Sequence, residues 1–234
     1  IQAHSTVEHD YLANGFWAYD KKDELANPGL TASILQRIED VTDRVNAALN
    51  DKMTEEERAL AIQAVAGEIT REATRGTNLA AQVQSMFEGN QFCLLVYKIY
   101  RDVRLVGAPP QSMGKFGGDT DNWIWPRHTC DFSMFRIYTG PDGEPAPFSE
   151  KNIPLKPKHF FPVSAKGIQD GDFAMIMGFP GTTDRFLTSY GLKVTMEGND
   201  IRYKVRSEKL RIMKEGMDKD PQVRIQYASK HASC

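Results

Sequence analysis

The sequence predicts a mainly β protein with helices: a β-rich body over about residues 1–182, then the opening of a helical region over 183–234. Three observations predict it. Residues 79–110 fall into short strand-like runs broken by turn residues. Residues 173–181, "FAMIMGFPG", form a compact apolar run that ends in a Gly-Phe-Pro-Gly corner and belongs in a barrel interior. Beyond that run the composition turns charged and helical in character.

In chain order, the first thirty residues are irregular, with turn signals at "LANG" (12–15) and "NPGL" (27–30). "LTASILQRIEDV" (30–41) alternates loosely and reads as a strand. Asp40 can cap a short helix through "VTDRVNAAL", with Asp43 in its first turn, where the helix dipole favours a negative charge. Thr54 followed by Glu57 makes a capping box. Behind it Leu60, Ile62, Val65, Ile69 and Ala73 line one face of an amphipathic helix. From Asn78 the period changes. "LAAQVQSMF", a turn at "EGN", "QFCLLVYKIY", a turn at "RD" and "VRLVGAPP" describe a meander of antiparallel strands. "FSMFRIY" (132–138) is another strand, closed by the turn "TGPDGEPAP". Near the end, Asp220 before Pro221 supplies a cap and a first-turn proline for the last helix. The sequence holds no internal repeat.

Composition narrows the function. With 41% hydrophobic and 26% charged residues the chain can bury a real core. A net charge of -2 supplies no basic field, so no nucleic-acid partner is expected. No apolar run approaches bilayer length, so no membrane insertion is expected either. Cys93, Cys130 and Cys234 are too few and too widely spaced for a zinc knuckle or a disulfide framework. The opening "IQAHSTVEHD" has neither a methionine nor a charged-then-apolar leader. That is expected where a targeting segment has been removed or where the sequence is a piece of something longer.

The densest chemistry lies in "DNWIWPRHTCDF" (121–132), just after the glycine-rich "GKFGGDTD". Asp131 stands at a strand start, behind His128 and Thr129. A carboxylate there can be held buried by backbone donors and orient a histidine, the third role in a Ser-His-Asp triad. The plainer alternative is an aspartate capping the preceding turn. Asn122 and Trp123 suit a substrate ammonium, the amide oxygen accepting a hydrogen bond and the indole face giving a cation–π contact. The alternative is a tryptophan pinning a loop to the body. Asp119 and Asp121 hint at calcium, but the further oxygen ligands and closing glutamate of an EF-hand are missing. His4, His9 and Asp10 lack the His-Glu-x-x-His spacing that sets two imidazoles on one helical face, and read as solvated or hydrogen-bonded. Ser112 and Ser133 have no nucleophile-elbow glycines and read as structural. No cofactor is implied.

The run "GGDTDNWIWPRHTCDFSMFRIY" resembles the signature of the bacterial dipeptidyl aminopeptidases of serine peptidase family forty-six, the dipeptidyl-peptidase 7 and 11 type. The resemblance continues through "HSTVEHDYLANGFWA", "DELANPGLT", "RIEDVTDRV", "VRLVGAPP", "IPLKPKHFFPVS" and "MGFPGTT", nearly the whole chain. It implies a chymotrypsin-like double β-barrel, incomplete here, followed by the start of an inserted all-helical lid domain. It implies peptide substrates with a free N-terminus, a homodimer in the full-length enzyme, and a periplasmic or cell-surface location.

Residue by residue, the resemblance makes Asp131 the triad aspartate, and Asn122 and Trp123 the residues that hold the substrate's N-terminus. Cys130 stands where the family usually has glycine, which is tolerable if the backbone there needs no positive φ. The family's catalytic histidine belongs to an "NHHC"-like segment upstream of the point matching Ile1, and its serine to a glycine-flanked motif far downstream. The resemblance therefore makes this chain an internal piece that carries the aspartate alone and is inactive by itself. His4, His9 and His128 do not match the catalytic histidine. The alternative is a non-catalytic, peptide-binding member of the same fold; a calcium-stabilised interaction domain is a third reading.

Overall fold

A computed structural model of the protein describes residues 1–118, 120, 124–175 and 185–234. In chain order its elements begin with α1 (Tyr11–Asn14), β1 (Phe16–Trp17), β2 (Leu25–Ala26), β3 (Ala32–Asp40), α2 (Thr42–Asn46), α3 (Glu55–Thr74) and β4 (Ala80–Met86). They continue with β5 (Gln91–Tyr100), β6 (Asp102–Ala108), α4 (Gln111–Gly114), β7 (Met134–Thr139), β8 (Ile153–Pro154), α5 (Ser189–Lys219) and α6 (Pro221–Ala232). The mixture of antiparallel sheets and helices agrees with the sequence. The chain divides into two units, one of Phe16–Pro109 with Cys130–Lys156, the other of Ile1–Gly15, Pro110–Thr129 and Pro157–Cys234. The expected boundary at 182 lies outside the described residues.

The first unit holds two antiparallel sheets. In the three-stranded sheet, β5 lies between β3 and β4. Phe92, Leu94 and Val96 alternate along β5 and form a buried cluster with Val41, Val45 and Ile69 from the α2–α3 segment. The capping box at α3 is present in full: Thr54 Oγ1 accepts from the Glu57 N–H, and the Glu57 carboxylate accepts from the Thr54 N–H. Asp40 accepts from the Thr42 N–H at the start of α2, as its position predicts.

The second sheet runs β1-β6-β7-β8, with β2 also paired to β6. All seven residues of β6 are buried. The expected meander is corrected here. β4 and β5 pair, but β6 enters the other sheet, and β3 takes the free edge of β5. One residue, Arg101, separates β5 from β6, and a hairpin needs two, so the chain passes from one sheet into the next. Gly107 is required where β1 crosses: an added Cβ would lie 2.4 Å from the Trp17 ring. The strand expected at 173–181 is corrected in its described part. Phe173 and Met175 are exposed and 173–175 pair with no strand, while 176–181 lie outside the described residues. Apolar composition alone does not make a strand without a neighbouring edge to bond.

A charged network lies inside this sheet. Alternation along β6 puts Asp102 and Arg104 on one face, and along β7 it does the same for Arg136 and Tyr138. Arg104 forks onto Asp102 at 3.0 and 2.8 Å, and Asn152 Nδ2 donates to the same carboxylate at 2.9 Å. Glu24 accepts from Arg136 Nε at 2.8 Å and from Tyr138 Oη at 2.9 Å. The Arg104 guanidinium carbon lies 3.7 Å from the Tyr138 ring centroid. Burial pushes the Asp102 carboxyl up, but hydrogen bonds from Arg104 and Asn152 outweigh it and hold the group below its ordinary value.

In the second unit Asp220 caps α6 through the Gln222 and Val223 N–H groups, with Pro221 at the first position, as the sequence predicts. Thr188 caps α5 through the Gly191 N–H. The N-terminal segment docks on α6: Gln2 Nε2 donates to the carbonyls of Ile225 and Gln226 at 2.8 and 2.7 Å, and Asp10 pairs with Arg224. Tyr190, Val194, Ile201, Val205 and Ile212 follow helical spacing along α5 and are all exposed.

Two outcomes follow from the network. Asp102→Asn leaves Arg104 buried without its counter-charge, so the free energy of unfolding in urea falls by about 3–5 kcal/mol. Because the Asp102 pKa is depressed, its contribution is present above the ordinary carboxylate value, about 3.9, and fades as pH falls through the lower folded value. Tyr138 behaves oppositely. Burial, then its bond to Glu24, pushes the phenol up to about 12. Its contribution is intact below the ordinary tyrosine pKa, about 10, and is lost as pH rises towards the folded value. Tyr138→Phe flattens the alkaline fall in stability over that interval, measured by urea unfolding across a pH series.

Candidate active site

The candidate site is built on the return of the chain from α4 to β7. Pro110 cannot donate a backbone hydrogen bond and starts the short α4, whose last residue is Gly114. The backbone then turns through Lys115–Gly118, with Gly118 at φ 64°, a left-handed conformation that glycine adopts without strain. Ten residues later the chain is back at the same place. The Gly117 N–H donates to the His128 carbonyl at 2.9 Å, and Thr129 Oγ1 donates to the Gly114 carbonyl at 2.9 Å. The Phe116 and His128 rings meet at 5.8 Å between centroids, tilted by 52°. The two ends of the "GKFGGDTDNWIWPRHT" loop are thereby tied together.

Asn122 and Trp123 lie outside the described residues, as do Asp119 and Asp121. Asp131 is described. It stands three residues before β7, and its residue is exposed, where the sequence reading allowed for a buried carboxylate. Cys130, beside it, is half-buried and has no positive φ, so the position that resembles a glycine site accepts a side chain without backbone strain.

The remaining candidates have other occupations. Asp10 Oδ1 accepts from the Ala13 N–H and caps α1, while its other oxygen pairs with Arg224. His9 stacks on Tyr11. Among the described residues, no group of three or more His, Cys, Asp or Glu side chains is placed to hold a metal ion. Ser112 is an exposed residue of α4, and Ser133 is exposed just before β7. Sequence reasoning placed Thr129 only as a neighbour of Asp131. Its bond to Gly114 spans fifteen residues and leaves no local pattern to find.

The whole chain, residues 1–234, matches the sequence model of the family described as Peptidase S46. It is 48% identical over 238 residues to a dipeptidyl-peptidase 7 of Phocaeicola vulgatus, covering 99% of this chain and 33% of that protein. It is 46% identical over 242 residues to an Asp/Glu-specific dipeptidyl-peptidase of Porphyromonas gingivalis, covering 100% of this chain and 33% of that protein. Among solved structures it resembles Porphyromonas endodontalis DPP11 in complex with the dipeptide Arg-Asp. The TM-score is 0.88 at 42% identity, over 99% of this chain and 34% of that one. The chain thus spans about a third of the length of the relatives it matches.

Proposed function

The chain belongs to the peptidase S46 family, and we propose that it is part of a serine-type dipeptidyl aminopeptidase that releases dipeptides from the free N-terminus of peptides. The observation that carries this reading is the continuous match of all 234 residues to the family. The fold likeness to a DPP11 chain holding a dipeptide supports it.

In this reading the histidine and the serine come from parts of a longer polypeptide outside these residues, and the 234 residues alone are inactive. Coverage of about a third of each relative is in keeping with that. The two antiparallel sheets belong to a chymotrypsin-like double barrel, and α5 with α6 opens an inserted helical lid. The exposed apolar side chains of β3 (Ile34, Leu35, Ile38) and of α5 are what such missing neighbours would cover. The complete enzyme is a homodimer in the periplasm or at the cell surface, an extension that rests on the resemblance alone.

The chemistry assigns each residue a task. The serine attacks the carbonyl of the second residue's peptide bond, and the histidine takes its proton and passes it to the leaving amine. Asp131 accepts from the other ring nitrogen, holding the tautomer and stabilising the imidazolium. A dipeptidyl peptidase must also measure two residues from the free end. Asn122 and Trp123 do so by gripping the α-ammonium, since misplacing the scissile bond by about 1 Å costs roughly a hundredfold in rate.

The full-length protein is assayed with dipeptidyl reporter substrates. Asp131→Ala lowers kcat by about four orders of magnitude; near-normal turnover in that variant removes Asp131 from the triad. N-acetylation of the reporter abolishes cleavage. Equal cleavage of free and acetylated reporters removes the ammonium anchor and the exopeptidase reading with it.

A further inference from the structure

We propose that Glu24 is a positioning residue for the reaction, fixing through β7 the place from which the Asp131 carboxylate acts. This rests on the triad role given above to Asp131. Glu24 stands immediately before β2, and its side chain is only 2% exposed. Leu25 and Ala26 of β2 pair with Leu105 and Arg104 on one edge of β6, while β7 pairs with the other edge. Glu24 therefore reaches over β6 to hold β7. One of its oxygens accepts from Arg136 Nε at 2.8 Å and the other from Tyr138 Oη at 2.9 Å. Asp131 lies five residues before Arg136 and three before the strand begins.

Charge makes this hold matter for the residues ahead of it. Arg136 stands directly across the ladder from Arg104, and like charges directly opposed in a sheet repel. Arg104 is matched by Asp102, and Glu24 is the carboxylate that pairs with Arg136. In Glu24→Gln the repulsion stays and the counter-charge goes. The Arg136 side chain, 39% exposed, is then free to turn towards water and draw β7 away from β6. A bulge adds to the effect. Phe135 pairs with Leu105 but Met134 pairs with Gly107, so Val106 has no partner on β7 and the ladder is interrupted there. The segment running back to Asp131 lies beyond that interruption, and its placement follows the register held at residues 135–138. A slip of one residue would move it by about 3.3 Å, and a misplacement of about 1 Å at a reacting group costs roughly a hundredfold in rate. Asp131 acts through the histidine as charge develops, so the loss falls on kcat and spares KM.

The test measures dipeptidyl reporter cleavage by the full-length protein as a double-mutant cycle of Glu24→Gln and Asp131→Ala. Glu24→Gln lowers kcat about tenfold and leaves KM within about twofold of the parent. In the Asp131→Ala background the same substitution changes kcat by less than about twofold, because the group it positions is gone. A merely structural role would lower kcat equally in both backgrounds, and that result overturns the proposal. So does a parental kcat in Glu24→Gln, or a defect confined to KM. Near-normal turnover by Asp131→Ala overturns the triad reading and this proposal with it, whereas a large Asp131→Ala loss beside a parental Glu24→Gln overturns this proposal alone. Should Glu24→Gln not fold, Tyr138→Phe removes one of the two bonds to Glu24 and takes its place in the cycle. It lowers kcat about threefold in the parent and not in Asp131→Ala, and an unchanged kcat there overturns the proposal.

Discussion

Arg104 lies buried on β6 with its guanidinium forked onto Asp102 and its flat face against Tyr138. Removing two charges from water is costly, and here the cost is offset by complete pairing. Asp102 receives three side-chain hydrogen bonds, and Arg104 also reaches the Ser149 carbonyl at 2.9 Å. Directly across the ladder from Arg104 stands Arg136, a like-charge pair that would push β6 and β7 apart. Glu24, ahead of β2, balances it and binds Tyr138 as well. Two carboxylates and two guanidiniums thus join β2, β6, β7 and the loop that ends at Asn152. A slip of one residue in β7 would turn Arg136 and Tyr138 to the opposite face and strand Glu24, so the network specifies the register.

The parts of the fold that rest on local chemistry were legible. Thr54 with Glu57 and Asp220 with Pro221 are short-range patterns, and the helices begin where those patterns stand. The run "QFCLLVYKIY", read as a strand between two turns, is the strand β5 that fills the core with Phe92, Leu94 and Val96. What could not be read depends on partners far away in sequence. "RDVRLVGAPP" places Asp102 and Arg104 two apart, and such a pair ordinarily faces water; its burial depends on partners distant in sequence such as Asn152, Ser149 and Tyr138. The change of sheet at Arg101 was hidden for a similar reason, because the competing edge is β3, some sixty residues earlier. In the candidate site, Asp131 stood out by its motif, whereas Thr129 bonds a backbone carbonyl that carries no residue signature.

The same distinction disposes of the apparent cluster at the N-terminus. "HSTVEHD" puts two imidazoles and a carboxylate within seven residues, which invites a metal. Asp10 is committed elsewhere: one oxygen caps α1 and the other meets Arg224 on α6. With Gln2 bonded to two carbonyls of the same helix, this segment docks a helix rather than collecting ligands. A carboxylate with both oxygens engaged by donors is a poor recruit for a cation, since binding would first have to break those bonds.

Asp131 and the Asn122–Trp123 pair belong to one sequence motif, yet the proposed reaction asks different things of them. Asp131 leads into β7 after only three residues, and β7 is locked by Arg136 and Tyr138 to Glu24. At about 3.3 Å per residue, that tether is too short for the carboxylate to wander far from its strand. Ahead of it, Thr129 Oγ1 donates to the Gly114 carbonyl and the Gly117 N–H donates to the His128 carbonyl, joining described residues on either side of the Asn122–Trp123 stretch of sequence. If Asp131 serves in the triad proposed above, disturbing it misaligns a group that acts as charge develops in the reaction, and that loss falls on turnover. If Asn122 and Trp123 grip the substrate's N-terminus as proposed, losing them slackens a contact made before the reaction starts, and that loss falls on substrate affinity.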